Sequence, residues 1–223
     1  MNKQELAKYI DQTDLTPGRT FEYIENFCKD AAEGGFASVC ILPTMVKTAA
    51  AALKGTETKV CTVISFPLGM DLPKTKICAT EEAIMHGAQE IDLVLNVSAL
   101  KSEDYATINE ELAGVATACH QRGALMKLII ETPLLTSAQI VKACELAEKN
   151  KVDIVKSSTG FKAMLPRSTT VEDIQLIKKS IHPGTGIKAA GGIRTTKDAL
   201  AMIEAGATRI GASSGRDIVN GLD

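Results

Sequence analysis

A chain of 223 residues, 45% hydrophobic and 23% charged, has enough apolar material for one large domain or two small ones, a size range that includes α/β barrels. Its 25 basic and 27 acidic side chains leave a formal charge of -2 and form no basic block, which excludes the electrostatic footprint of a nucleic-acid-binding protein. Aromatic residues make up only 4% and tryptophan is absent, which excludes base-stacking and sugar-stacking platforms, and no apolar run approaches the roughly 18 residues of a membrane span.

The amino terminus, "MNKQELAKYIDQ", is a polar helical start without a signal-peptide pattern. Beyond it, short β-branched runs alternate with longer alanine-rich stretches of helical spacing. A strand at 9–13 ("YIDQT") precedes a helix over 19–35, a strand at 37–42 ("ASVCIL") precedes one over 44–55, and a strand at 59–66 ("KVCTVISF") precedes one over 73–88. The pattern continues with a strand at 90–97 and a helix over 102–123, then a strand at 125–132 and a helix over 136–150. A strand at 152–159 leads to a helix over 170–181, one at 186–190 to a helix over 195–207, and the last, at 208–213, to a short helix. Several helices end in Gly-Ala or Gly-Gly, the stop expected where a helix gives way to a strand.

Near-continuous apolar strands alternating with helices imply a parallel sheet covered on both faces. An open doubly wound sheet is the structural alternative. Eight strands, with polar residues near the C-terminal ends of several of them, favour a single (β/α)8 TIM barrel with a short N-terminal helix. No linker or composition break divides the chain, so residues 1–223 are expected to form one domain. The six cysteines, Cys28, Cys40, Cys61, Cys78, Cys119 and Cys144, contain no CxxC pair and lie in apolar stretches, which predicts reduced core thiols and a cytoplasmic protein.

Five strands carry an ionisable residue where a core residue is expected: Asp11, Asp92, Lys127, Lys156 and Lys188. Alternation puts Lys156 on one face with Ile154, and Lys127 with Ile129, as for inward-pointing side chains. A neighbouring cation disfavours a protonated lysine, so one amine of such a cluster can attack a carbonyl as a Schiff-base nucleophile, with a carboxylate moving protons nearby. A buried, satisfied salt-bridge network is the alternative use of the same residues.

A second signal is "KAAGGIRTTKDAL", where the Gly191-Gly192 turn and Arg194 read as a phosphate cradle ahead of a helix capped by Thr195 or Thr196. "IGASSGRDI" repeats the idea at the next strand with Gly211, Ser213, Ser214 and Gly215, and phosphate sites after strands seven and eight recur in these barrels. His86, His120 and His182 lack metal-ligand spacing and read as surface or capping residues, so no metal and no cofactor is expected. Cys40 ends an early strand and reads by default as a buried free thiol.

The segments "IVKSSTGF", "GIKAAGGIR", "EIDLVLN", "MKLIIET" and "IGASSG" resemble, in order and spacing over essentially the whole chain, the deoxyribose-phosphate aldolase family. The resemblance implies a metal-independent class I aldolase that reversibly cleaves 2-deoxy-D-ribose 5-phosphate to D-glyceraldehyde 3-phosphate and acetaldehyde. It assigns Lys156 as the Schiff-base lysine, Lys188 as the lysine that tunes it, Asp92 as the acid/base carboxylate working with a water, and Lys127 with Asp11 as the charge network holding Lys188. Thr13, Cys40 and Thr159 match pocket-lining positions, and Gly160, Gly191, Gly192, Gly211, Ser213 and Ser214 match the phosphate set, with Arg194 alongside.

Three departures bear on the site. The wall at Thr13 to Leu15 differs from that of many members, "KAMLPRSTT" (162–170) replaces the small glycine-rich loop, with Lys162 available to compensate, and the chain stops at Asp223 without the tyrosine-ended tail that some members use in proton transfer. That last step then falls to Asp92 or a water. The partners expected are small phosphosugars and aldehydes, with no nucleic acid, no membrane and a second copy of the chain in a homodimer. Two other readings are a different Schiff-base phosphosugar lyase, of the transaldolase or keto-acid aldolase kind, and a non-catalytic phosphosugar-binding barrel.

Overall fold

The structure, a computed structural model, describes residues 1–222; Asp223, on which the expected C-terminal departure falls, lies outside them. Eight parallel strands close into a barrel in sequence order: β1 (Ile10–Asp14), β2 (Ser38–Ile41), β3 (Lys59–Ile64), β4 (Glu90–Val94), β5 (Leu125–Ile129), β6 (Ile154–Lys156), β7 (Gly186–Ala190) and β8 (Arg209–Ala212), with β8 returning to β1. The predicted (β/α)8 barrel is the observed fold, and closure rules out the open doubly wound sheet. Around it run α1 (Lys3–Ala7), α2 (Phe21–Glu33), α3 (Val46–Ala52), α4 (Pro73–Met85), α5 (Val97–Lys101), α6 (Tyr105–His120), α7 (Ser137–Lys149), α8 (Val171–Ser180), α9 (Thr196–Ala205) and α10 (Gly215–Asn220).

Local chemistry explains the helix starts. Thr136 and Gln139 form a reciprocal capping box at α7, as do Thr170 and Asp173 at α8 and Thr195 and Asp198 at α9. The apolar faces follow helical spacing: Ile24, Cys28 and Ala31 of α2, and Ile140, Ala143, Cys144 and Ala147 of α7, are buried against the barrel. No helix among the described residues is long and apolar enough to cross a membrane.

Several strands are shorter than their apolar runs predict. The third ends at Ile64 because Ser65 turns to φ 57°, and the fourth ends at Val94, after which Asn96 caps the unpredicted α5. The fifth stops at Ile129, two residues before Glu131 enters the left-handed region at φ 58°. The sixth is only Ile154–Lys156; the backbone of Ser157 still pairs with Lys188 O and Thr132 N–H, and its hydroxyl and that of Ser158 bond Ala190 O and Glu131. One cysteine departs from expectation: Cys78 is exposed on α4, whereas the other five are buried.

A buried ion pair outside the barrel interior fixes the end of β4. Lys76 Nζ lies 2.6 Å from Glu111 Oε2 and donates to Val94 O at 3.0 Å, while Asn96 N donates to Glu111 Oε1. Burial pulls the Lys76 ammonium down and pushes the Glu111 carboxyl up, so desolvation outweighs the mutual attraction and the pair positions more than it stabilises. Glu111→Gln, which strands the ammonium, is expected to lower stability by about 3 kcal/mol in denaturant unfolding, whereas Lys76→Met with Glu111→Leu is expected to be near neutral. A double variant as unstable as the single one would show that the pair itself is stabilising.

Candidate active site

Strand alternation decides which residues meet inside the barrel. The register places Asp11 opposite Ser38, Cys40 opposite Cys61, Asp92 opposite Lys127, and Lys156 opposite Lys188, so these side chains share the inward face. All five ionisable residues expected inside are there, and Asp11, Asp92, Lys127 and Lys188 are fully buried.

The charges form one network. Lys127 Nζ lies 2.6 Å from Glu90 Oε2, 2.8 Å from Asp92 Oδ1 and 3.5 Å from Asp11 Oδ2. Lys188 Nζ meets Asp11 Oδ2 at 2.6 Å and Asp92 Oδ2 at 2.8 Å. Beneath them Arg209 joins Asp11 Oδ1 and Glu90 Oε2, each at 2.6 Å. Among the described residues Lys156 Nζ has a single carboxylate partner, Asp92 Oδ2 at 2.7 Å, the same oxygen that Lys188 uses.

These contacts fix charge states. Burial opposes the ionised form of Asp92, but Lys127, Lys156 and Lys188 outweigh it and hold the carboxyl well below the usual range. Burial likewise opposes the charge of Lys188 and of Lys127, yet the carboxylates around them, Asp11 and Asp92 above all, hold both above the ordinary lysine value. Asp92 is therefore a carboxylate, and Lys127 and Lys188 are ammonium ions, at neutral pH.

Cys40 Sγ, Cys61 Sγ and an Asp92 oxygen lie within 4.8 Å of one another, a donor set with metal-ligand chemistry. Lys127 Nζ takes the cation's place there, 3.1 Å from Cys61 Sγ and 2.8 Å from Asp92 Oδ1. Burial also pushes the Cys61 thiol up, away from the thiolate a metal needs, while the hydrogen bond between the two thiols pulls Cys40 down.

Above the network, at the C-terminal end of the barrel, a cleft of about 570 Å³ is lined by Thr13, Lys156, Thr159, Gly160, Gly191, Gly192, Arg194, Gly211 and Ser213. Of the three interior lysines, Lys156 alone lines it. Gly191 and Gly192 turn at φ 95° and 94°, and a Cβ on Gly192 would come within 2.6 Å of Ser168 Oγ, so the turn needs glycine at both positions. A smaller cavity of about 290 Å³ opens beside it between that turn and Lys162, Arg167 and Ser168. The replacement loop thus contributes Lys162 to both spaces, while Arg167 is held by Asp173 at 2.6 Å and by Thr132 O at 3.1 Å.

Two expected lining residues lie elsewhere. Cys40 is fully buried beside Cys61, below the cleft, and Ser214 turns its hydroxyl to Arg194 O at 3.3 Å. Thr195, not Thr196, caps α9. The histidines behave as surface residues: His120 pairs with Asp153 and His182 with Glu148. Sequence reasoning missed Glu90 and Arg209, although Glu90 stands two residues before Asp92 and Arg209 two before Gly211, on the same inward faces. It also missed Glu131, whose place depends on a backbone turn that no pattern announces.

The chain matches the family model described as DeoC/LacD family aldolase over residues 6–221. It is 50% identical to a deoxyribose-phosphate aldolase of Bacillus licheniformis, over 100% of this chain and 97% of that protein. Among solved structures it resembles an aldolase called QR15, with a TM-score of 0.90, 42% identity and coverage of 96% and 94% of the two chains. It also resembles the deoxyribose phosphate aldolase of Aeropyrum pernix, described as a unique tetramer, with a TM-score of 0.89, 29% identity and coverage of 98% and 91%. A family match and a relative at half identity, both running almost end to end, agree with the lysine-floored barrel: the chain belongs to the DeoC/LacD family of aldolases.

Proposed function

We propose that this protein is a class I deoxyribose-phosphate aldolase, reversibly cleaving 2-deoxy-D-ribose 5-phosphate to D-glyceraldehyde 3-phosphate and acetaldehyde, with Lys156 as the Schiff-base nucleophile. The observation that carries the reading is that Lys156 alone among the buried lysines reaches the cleft and, among the described residues, has one shared carboxylate to balance it. Lys127, Lys156, Lys188 and Arg209 face Asp11, Glu90 and Asp92, so the fully ionised network carries one excess positive charge, and Lys156 is the cation with the least carboxylate support.

The neutral amine adds to the C1 aldehyde of the open-chain sugar and water leaves, giving an iminium. The C3 hydroxyl gives up its proton, the C2–C3 bonding pair moves toward the iminium nitrogen, and glyceraldehyde 3-phosphate departs with a new C3 carbonyl. Protonation of the enamine at C2 and hydrolysis release acetaldehyde and restore the amine. Asp92, with Oδ2 2.7 Å from Lys156 Nζ, is the carboxylate placed to move these protons, directly or through a water. Lys188 and Lys127, fixed as cations, hold Asp92 and keep the field around Lys156 positive. Gly160, Gly191, Gly192, Gly211 and Ser213, with Arg194 and Lys162, wall the end of the cleft suited to the phosphate.

The chain is read as one domain and as a homodimer. Exposed Leu68, Met70 and Leu72 on the segment before α4 support a face covered by a second copy, and light scattering that gave a monomer would overturn the dimer. Six free cysteines fit the reducing cytoplasm. The activity is tested by coupled detection of glyceraldehyde 3-phosphate released from 2-deoxyribose 5-phosphate, with and without EDTA. Release unaffected by EDTA is expected. No release, or a preference for pyruvate or dihydroxyacetone over acetaldehyde as donor in the reverse direction, would move the protein to another Schiff-base lyase.

A further inference from the structure

We propose that Glu131, which lies outside the cleft lining, is the positioning residue for the phosphate-binding wall. The proposal rests on the reading of Gly160, Gly191 and Gly192 as that wall.

Glu131 is 3% exposed and holds φ 58° and ψ 59°, a conformation that L side chains rarely adopt and that glycine or asparagine would take more readily. Its carboxylate accepts a hydrogen bond from the Ser158 hydroxyl, and both of its oxygens accept from Thr159 N–H, at 3.1 and 3.2 Å. None of these partners is a cation. A buried carboxylate served only by neutral donors is costly, and so is the strained backbone that aims it. The arrangement spends both to fix one turn.

The chain of bonds has a single polarity. The Ser158 hydroxyl donates to Glu131, which leaves its oxygen free to accept Gly160 N–H at 3.0 Å. The amides of two successive cleft residues are thereby tied to one side chain behind the wall. Gly160 is held so close to the next strand's turn that a Cβ on it would lie 3.3 Å from Gly191 Cα. The separation of the two glycine turns that face the phosphate is therefore set by a carboxylate that touches neither the phosphate nor the reacting carbons. An amide in its place can accept on one side only, and its NH2 opposes Thr159 N–H or the Ser158 hydroxyl.

The test compares wild type, Glu131→Gln, Glu131→Gly and Ser158→Ala with 2-deoxyribose 5-phosphate and with unphosphorylated 2-deoxyribose, and measures inhibition by inorganic phosphate. The expected result in each variant is a roughly tenfold fall in the kcat/KM preference for the phosphorylated sugar, carried mostly by KM, and a similar rise in the inhibition constant of phosphate, the scale of one charge-assisted hydrogen bond. The glycine variant keeps the backbone comfortable, so it reports the carboxylate if the glutamine variant fails to fold, and Ser158→Ala reads the same link from its other end. A preference and an inhibition constant that stay unchanged, or equal losses on both sugars, would overturn the proposal. A wild type with no preference for the phosphorylated sugar sinks the phosphate reading itself, and the role of Glu131 with it.

Discussion

Lys156→Arg is expected to lower kcat by roughly 10⁴-fold or more while leaving the fold intact, because the guanidinium keeps a positive charge for Asp92 but cannot lose a proton to become a nucleophile. The positive charge matters to the choice of variant. Asp92 Oδ2 sits 2.7 Å from Lys156 Nζ in a barrel interior that solvent barely reaches, and alanine there would change the charge balance together with the chemistry. Borohydride reduction with substrate present should add a stable mass to the peptide carrying Lys156 in the wild type and none in the variant. An adduct on Lys127 or Lys188 would contradict the argument that their carboxylate partners keep them protonated. Turnover by the arginine variant within about tenfold of wild type would remove the Schiff base from the mechanism.

Asp92→Asn is the second large effect, and it reaches both activity and stability. Activity is expected to fall by roughly 10²–10⁴-fold, the range for loss of a positioned acid/base group. Stability at neutral pH is expected to fall by about 3–5 kcal/mol, because Lys127, Lys156 and Lys188 lose the one carboxylate all three share. The pH dependence gives the sign. The carboxyl of Asp92 titrates well below its ordinary value of 3.8, so its stabilisation is fully present above that value and is lost as the pH falls through and below it. The melting-temperature gap between wild type and Asp92→Asn should therefore be widest near neutrality and narrow as the pH drops below 3.8. A gap that stayed constant down to pH 2 would show that Asp92 is not held ionised by its lysines.

The sequence determined the barrel. Eight apolar runs with helical stretches between them, most of the helices opening on a threonine, asparagine, aspartate or proline that local chemistry favours there, admit few arrangements, and closure in chain order is the one observed. It determined the inward set as well, because a side-chain period of two leaves no freedom once one member of a strand is known to face in. That is why Asp11, Asp92, Lys127, Lys156 and Lys188 could be named together, and why Glu90 and Arg209 lay within reach of the same reasoning.

Only the tertiary structure decided which lysine faces the cleft and which are sealed beneath it. Lys127, Lys156 and Lys188 carry the same pattern in sequence. The stagger of neighbouring strands lifts Lys156 to the cleft floor and leaves the other two among carboxylates. The same holds for Cys40, drawn below the cleft to Cys61, and for Glu131, aimed by one left-handed residue at a turn 28 positions away. Height along a barrel and the direction of a loop are sums over many small rotations of strand and turn, and no local pattern of residue types records them.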